Sequence, residues 1–409
     1  MERDRLMKIL TICQRYWPEQ FQVTDICEGL VSRGHEVTVL CGLPNVGLSE
    51  SEGHVLPEYK LGRNREQEHN GVKIIRSFEV GRRTGVLWRA INYYSFWKTA
   101  NHKVLDLGDF DVCLAYQLSP AMMCDPARIL KKNLNVPYLL YCCDLWPESM
   151  KAMLGDRAKP VLDHFGRICR KFYRAADKIA IESPSFAKYF VEYHGIDKGR
   201  LVYVPQFSMD DGTPVLDVHD GVNFFFMGNM GTVQCVPFLL EAFARAISVE
   251  QDVQMTFHFV GDGVAQDDAK AYVESSGLTD RVIFHGRHPI EKMKDFYAQA
   301  DACVLALDNS TLIGSTIPSK LQGYMAAGKP VIAAVQGGAR FVIEQASCGI
   351  VVDPNDTEGF AAALLTLARN EELRKTLGSN SRSYFEENFT KEAFLNAIEK
   401  ELAILSKGE

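Results

Sequence analysis

Two stretches in the second half of the chain carry residue types that can hold a phosphate. In "FMGNMGTVQ", residues 226–234, Gly228 and Gly231 follow an apolar run and precede a helix expected to open at Pro237. Glycines there let main-chain amides come close to an oxyanion. In "STIPSKLQGYMAAGKP", residues 315–330, Pro318 suits a first helical position, Ser315 or Thr316 the cap before it, and Gly328 the stop. Free amides and the helix dipole favour an anion at such a start, and Lys320 in the first turn adds a cation. Thr316, Pro318, Ser319 and Lys320, with Ser315, therefore read as one side of a diphosphate site. Gly228, Asn229, Gly231 and Gln234 read as the other.

A second group of polar residues stands in the first half. Asp144 and Glu148 in "YCCDLWPES" follow an apolar strand-like run, where a carboxylate can meet a substrate hydroxyl. An Asp just before a helix is equally suited to cap it. Arg15, Glu19 and Gln20 lie in the loop after the first expected strand. "DFD" at 109–111 has the D-x-D form of a metal motif, but it precedes the run "VCLAY", where Asp commonly closes a turn. Hard cations want more converging oxygens than this segment offers, so no metal site is assigned. "FVGDG" at 259–263 is half of a dinucleotide fingerprint without its remaining glycine, which argues against NAD.

These residues need a scaffold that brings loops together. "KILTIC", "RGHEVTVLCG", "FDVCLAYQ", "VPYLLYCCD" and "KIAIES" are short apolar runs separated by helical stretches, the pattern of a doubly wound parallel sheet. The polar stretch 206–221, "QFSMDDGTPVLDVHDG", reads as a linker. After it the alternation restarts with "NFFFMG", "MTFHFVG", "VIFHG", "ACVLAL", "PVIAA" and "GIVVD", and closes on an amphipathic helix, "FTKEAFLNAIEKELAIL". The expected division is 1–206 as a first Rossmann-like domain, 207–220 as linker, and 221–385 as a second. Residues 386–409 form a terminal helix that could cross back to the first domain. Ligands of open parallel sheets bind at the carboxyl ends of the strands, here expected in a cleft between the two domains.

The chain has 409 residues, too many for a single core, with 46% hydrophobic and 24% charged residues and a net charge of −7. That balance argues against general nucleic-acid binding. Its 11 cysteines show no C-x-x-C spacing, so zinc-ribbon and redox motifs are not indicated, and a reducing cytoplasm fits best. No secretory leader and no run of about 20 apolar residues is apparent. Residues 81–103 interleave Arg82, Arg83, Arg89, Lys98 and Lys103 with Trp88, Tyr93, Tyr94, Phe96 and Trp97. That pattern suits a helix lying on an anionic membrane, and equally a core helix with a solvated basic face.

Taken in order, "RGHEVTVL", "FMGNMGTVQ", "FVGDG", "VIFHGRHPIEKMKDFYAQAD" and "SKLQGYMAAGKPVIA" resemble the GT-B retaining glycosyltransferases of the family-4 type over essentially the whole length. "GLPN", "NGVKIIRS", "NYYSF" and "DLWPES" resemble the branch that assembles bacterial surface polysaccharides, including transferases of N-acetylated amino sugars such as fucosamine. The resemblance implies a metal-independent enzyme with no cofactor. A UDP-sugar donor binds the C-terminal half, and a glycan or polyprenyl-linked acceptor binds the N-terminal half. It implies front-face transfer in which the leaving phosphate takes the acceptor proton, so no protein nucleophile is required. It also places the base edge at the Arg287 backbone. Gly337 and Gly338 read as closing another loop at the cleft edge, where they can contact the sugar. The chain departs from the family where an Arg and a Lys are replaced by Asn229 and Gln234, and where two glutamates are replaced by Ser315 and Gly323. Lys320 is then expected to supply the missing cation, with Asp144 and Glu148 nearest the sugar or acceptor. Two other readings stand beside this one: a nucleotide-sugar epimerase of GT-B shape, and a non-catalytic nucleotide-sugar-binding protein.

Overall fold

The computed structural model describes residues 6–45, 55–83, 85–150, 159–217, 219–308 and 316–408. Its apolar runs form two sheets, each in its own unit: residues 1–182, 186–204 and 395–409 in the first, and 183–185 with 205–394 in the second.

In the first unit the strands are β1 (Lys8–Ile12), β2 (Glu36–Cys41), β3 (Glu66–His69), β4 (Val72–Arg76), β5 (Val112–Gln117), β6 (Tyr138–Cys142), β7 (Lys178–Ile181) and β8 (Leu201–Tyr203). Their order is β3-β4-β2-β1-β5-β6-β7-β8, parallel except for the β3–β4 pair. The order reverses between β1 and β5, so the loops after these two strands flank the switch point at which such sheets hold ligands. Helices α1 (Gln22–Ser32), α2 (Val86–Lys103), α3 (Asp125–Leu134) and α4 (Lys159–Ala175) cover the sheet. Both faces are thus buried, which is why β5 and β6 read as unbroken apolar runs.

The second sheet contains β9 (Val222–Met227), β10 (Met255–Val260), β11 (Val282–Gly286), β12 (Ala302–Ala306), β13 (Val331–Ala334) and β14 (Gly349–Val352). It is wholly parallel in the order β11-β10-β9-β12-β13-β14, the doubly wound arrangement with its switch point between β9 and β12. Along β9 the side chains alternate: Phe224 and Phe226 enter one core cluster, Phe225 and Met227 the other. The helices are α5 (Val236–Val249), α6 (Gln266–Ser275), α7 (Met293–Gln299), α8 (Ser319–Ala326), α9 (Gly337–Ala346), α10 (Thr357–Arg369), α11 (Glu371–Asn388) and α12 (Lys391–Lys407). Residues Thr232–Val249 are apolar enough in composition to cross a bilayer. Within α5, however, Val236, Leu239, Leu240, Ala242, Phe243 and Ala246 are buried in the core of this unit.

The stretch expected to be a bare linker is tied down along part of its length. Arg382 donates to both carboxylate oxygens of Asp210, at 2.6 and 2.8 Å, and the Asp217 amide donates to Ala298 O. From Leu395 onward α12 belongs to the first unit, where Glu399 accepts from Arg33 and Glu401 pairs with Lys178.

Candidate functional site

The loops after β9, β10 and β11 lie side by side because glycine occurs at each. Gly228 N donates to Val260 O and Gly261 N to Gly286 O, both at 2.8 Å. A side chain at Gly261 would stand 2.0 Å from Gly228 O, so only glycine allows that approach. Gly228 has φ +129°, in the region L side chains avoid. Within the loop, the Gly231 amide donates to Gln234 Oε1 at 3.1 Å, and the Asn229 side chain turns back toward Gly231 and Gly263. Neither Asn229 nor Gln234 brings a charge. Arg287 follows Gly286 on the exposed end of β11.

Helix α8 begins one residue later than its sequence suggests. Pro318 is the extended cap residue, at φ −71° and ψ 137°, without a side-chain cap, and Ser319 is the first helical residue. Thr316 therefore lies outside the cap position, and Ser315 lies outside the described residues. Gly328, at φ +64°, ends the helix as expected. The decisive feature is Lys320. Its side chain runs inward, with Nζ 4.0 Å from the centre of the Phe226 ring. A Cβ built on Gly228 would stand 3.3 Å from that nitrogen. The amine is buried and, among the described residues, has no hydrogen-bond partner. Loss of hydration alone lowers its pKa from 10.5 to about 8. A lysine in a polar segment reads as solvated; this one is a cation held against a glycine loop at the switch point.

In the first unit, the loops after β1, β2 and β4 meet in a buried polar network. Arg15 pairs with Glu79 at 2.9 Å and donates to Leu43 O and Asn92 Oδ1. Glu79 also accepts from Gln14 and Asn45, Asn45 N donates to Glu19 Oε1, and Arg82 N donates to Asn45 Oδ1. Arg15 and Glu79 are 5% and 1% exposed, so this pair braces the loops from within and offers no open carboxylate. Asp144, after β6, is only partly buried. Burial pushes its carboxyl above the ordinary range, while hydrogen bonds, first from Ser119, pull it back. Its role is not that of a cap, because the next helical turn opens at Glu148, directly after Pro147. Glu148 is half-buried at the start of that turn. Asp111, of the D-x-D pattern, accepts from the Lys8 amide at 2.7 Å and returns its own amide to Lys8 O, so it ties the start of β5 to the start of β1.

Family profiles match both halves: "Glycosyl transferase 4-like domain" over residues 20–206 and "Glycosyl transferases group 1" over residues 221–370. The chain belongs to the group 1 glycosyltransferases. Among curated relatives, this glycosyltransferase is 23% identical to "Probable glycosyltransferase WbjE" of Pseudomonas aeruginosa, covering 66% of this chain and 69% of that one. It is 27% identical to the N-acetyl-alpha-D-glucosaminyl L-malate synthase of Bacillus anthracis, covering 75% and 83%. Among solved structures, Anabaena HepE in complex with UDP and glucose superposes with a TM-score of 0.63 at 16% identity, covering 97% of this chain and 99% of that one. The sucrose-phosphate synthase of Thermosynechococcus elongatus gives 0.67 at 18%, covering 99% and 100%. These two likenesses establish the GT-B fold.

Two features of this glycosyltransferase escape a reading by sequence. Gly323 leaves room that the Tyr297 hydroxyl occupies, 2.7 Å from where a Cβ would stand. Nothing in "KMKDFYAQA" signals that partnership across 26 residues. The Phe226 ring beneath Lys320 is hidden in an apolar strand run, whose pattern shows burial but not the cation above it. Gly337 and Gly338 are not loop residues: they are the first two residues of α9.

Proposed function

We propose that this group 1 glycosyltransferase is a retaining, metal-independent enzyme that moves a sugar from a UDP-sugar to a polyprenyl-diphosphate-linked glycan. An N-acetylated amino sugar is the favoured donor. One observation carries the reading: a buried lysine amine without a counter-charge among the described residues, beside a glycine loop at the switch point of the C-terminal sheet. A diphosphate supplies the missing negative charge. The Asn229 amide and the first amides of α8 donate to it, and Lys320 takes over charge on the departing diphosphate as the bond to the sugar breaks. Uracil meets the main chain at Arg287. Asp144 accepts from a hydroxyl of the bound sugar, with Glu148 next to the acceptor. The likeness to HepE, solved with UDP and glucose, supports the nucleotide; the relationship to WbjE supports surface-polysaccharide chemistry.

The acceptor reading draws on α2. Phe96 and Ala100 bury one face, while Leu87, Trp88 and Tyr94 are exposed beside Arg83, whose guanidinium lies 4.3 Å over Trp88. Exposed apolar and basic groups together suit anionic lipid, so we place the enzyme in the cytoplasm, peripheral at the inner membrane face. Binding of a nucleotide sugar without turnover is the second reading, favoured by Tyr297 filling the space beside Gly323. A thermal-shift panel of UDP, GDP, ADP and dTDP tests the nucleotide, with the largest shift expected for UDP. UDP release from UDP-sugars, with and without polyprenyl acceptor in anionic liposomes, separates the two readings: acceptor-dependent release supports transfer, and UDP binding without release supports the second.

A further inference from the structure

The loop that carries Asp144 is held by a set of side chains that the transfer reaction does not itself use. The Trp146 indole Nε1 donates to Ser119 Oγ at 3.1 Å, and Ser119 Oγ donates in turn to Asp144 Oδ2. A serine hydroxyl has one proton and rotates freely unless a neighbour fixes it. Here the indole N–H claims a lone pair of the oxygen, so the single hydroxyl proton is directed to the carboxylate. The backbone around this relay is pinned as well. Gln117 Nε2 donates to Asp144 O at 2.7 Å, and the Tyr173 and Tyr189 hydroxyls both donate to Trp146 O, at 3.3 and 3.0 Å. Ser119 and Gln117 come from the end of β5, at the switch point of the first sheet, and Asp144 from the end of β6 beside it.

We infer that Ser119, with its hydroxyl proton set by the Trp146 indole, is a positioning residue that aims the Asp144 carboxylate at a hydroxyl of the bound sugar. Asp144 as a sugar-facing group is part of the function proposed above, and the relay rests on it. A charge-assisted hydrogen bond of this kind fixes the carboxylate plane and favours its ionised form, which burial opposes. The titratable groups around Asp144 do not compete with Ser119. The Cys142 thiol donates to Asp144 O, and Cys142, Tyr173 and Tyr189 are all kept protonated by burial. Glu148 is the other carboxylate of the segment.

The test compares Ser119→Ala, Ser119→Thr, Trp146→Phe and Asp144→Asn in the full chain. The Asp144 carboxyl is titrated by carbon NMR with labelled aspartate, Asp144→Asn assigning the signal. UDP release from UDP-N-acetylglucosamine is followed from pH 5 to 8. Ser119→Ala should raise the Asp144 titration midpoint by about one pH unit, since it removes a bond to the charged form. Ser119→Thr should restore it, and Trp146→Phe should move it in the same direction by less. The acid limb of UDP release should follow the titration. If Ser119→Ala leaves the midpoint and the acid limb unmoved while Asp144→Asn slows release, the relay is refuted and the role of Asp144 stands. If Asp144→Asn leaves release unchanged while the Ser119→Ala midpoint moves, the sugar-facing reading of Asp144 fails, and the positioning role fails with it. Should Ser119→Ala not fold, Trp146→Phe carries the same comparison.

Discussion

Replacing Lys320 with methionine keeps most of the buried stem and removes the charge, and the effect on stability follows from where the amine lies. It titrates at about 8 instead of 10.5 because burial strips its hydration. At about 1.4 kcal/mol per pH unit, keeping the amine charged costs the fold about 3 kcal/mol, partly offset by the Phe226 ring. Between pH 8 and 10.5 the unfolded chain holds this proton and the folded protein has released it. Stability therefore rises with pH across that window, and the cost is fully present below it. K320M should be more stable than the wild type by up to about 3 kcal/mol at pH 7, with the difference vanishing near pH 10.5. Urea unfolding of both proteins at pH 7, 9 and 10.5 measures this. The same variant should bind UDP at least about 10-fold more weakly by calorimetry, exchanging affinity for stability. A K320M protein less stable than the wild type at pH 7 would mean that the amine is well partnered in the free protein, and the reasoning would fail.

Three other outcomes follow from the same geometry. UDP affinity should decline as the pH rises above about 8, with net proton uptake on binding when calorimetry is repeated in buffers of different ionisation enthalpy; binding independent of pH from 7 to 9.5 would contradict the role of Lys320. Gly228→Ala places a methyl group 3.3 Å from the Lys320 amine at φ +129°, so it should cost about 1 kcal/mol or more in stability and weaken UDP at least about 10-fold. Thermal unfolding and calorimetry read the two effects separately. His258, stacked on Phe225 and bonded to His285 at 3.0 Å, stays neutral down to about pH 4 because of burial. The unfolded chain takes up that proton near pH 6.5, so stability should fall between pH 6.5 and 4, and His258→Phe should remove about 3 kcal/mol of that loss in urea titrations.

The strands were legible wherever both faces are covered. Burial on two sides demands unbroken apolar runs, as in "VNFFFM" and "YLLYC", and those runs mark β9 and β6 directly. The β3–β4 hairpin was not legible, because "EQEH" lies at the sheet edge and is half exposed, so it shows no apolar face to read. The glycine loop and the α8 start stand out in the sequence because main-chain geometry constrains residue type there; that they hold a phosphate is the function proposed above. Side-chain partnerships were not. Lys320 and Phe226 are 94 residues apart, Ser119 and Trp146 are 27 apart, and their contacts follow from strand order rather than from local pattern. Arg15 reads in the right loop but its partner Glu79 is not visible, since a buried ion pair looks in sequence like two unrelated surface charges.

The most direct test of the central claim is a crystal structure of the protein with UDP. The diphosphate should lie over Gly228–Gly231, with an oxygen within about 3 Å of the Lys320 amine. UDP bound elsewhere, or a Lys320 amine still stacked on Phe226 without a phosphate contact, would contradict it.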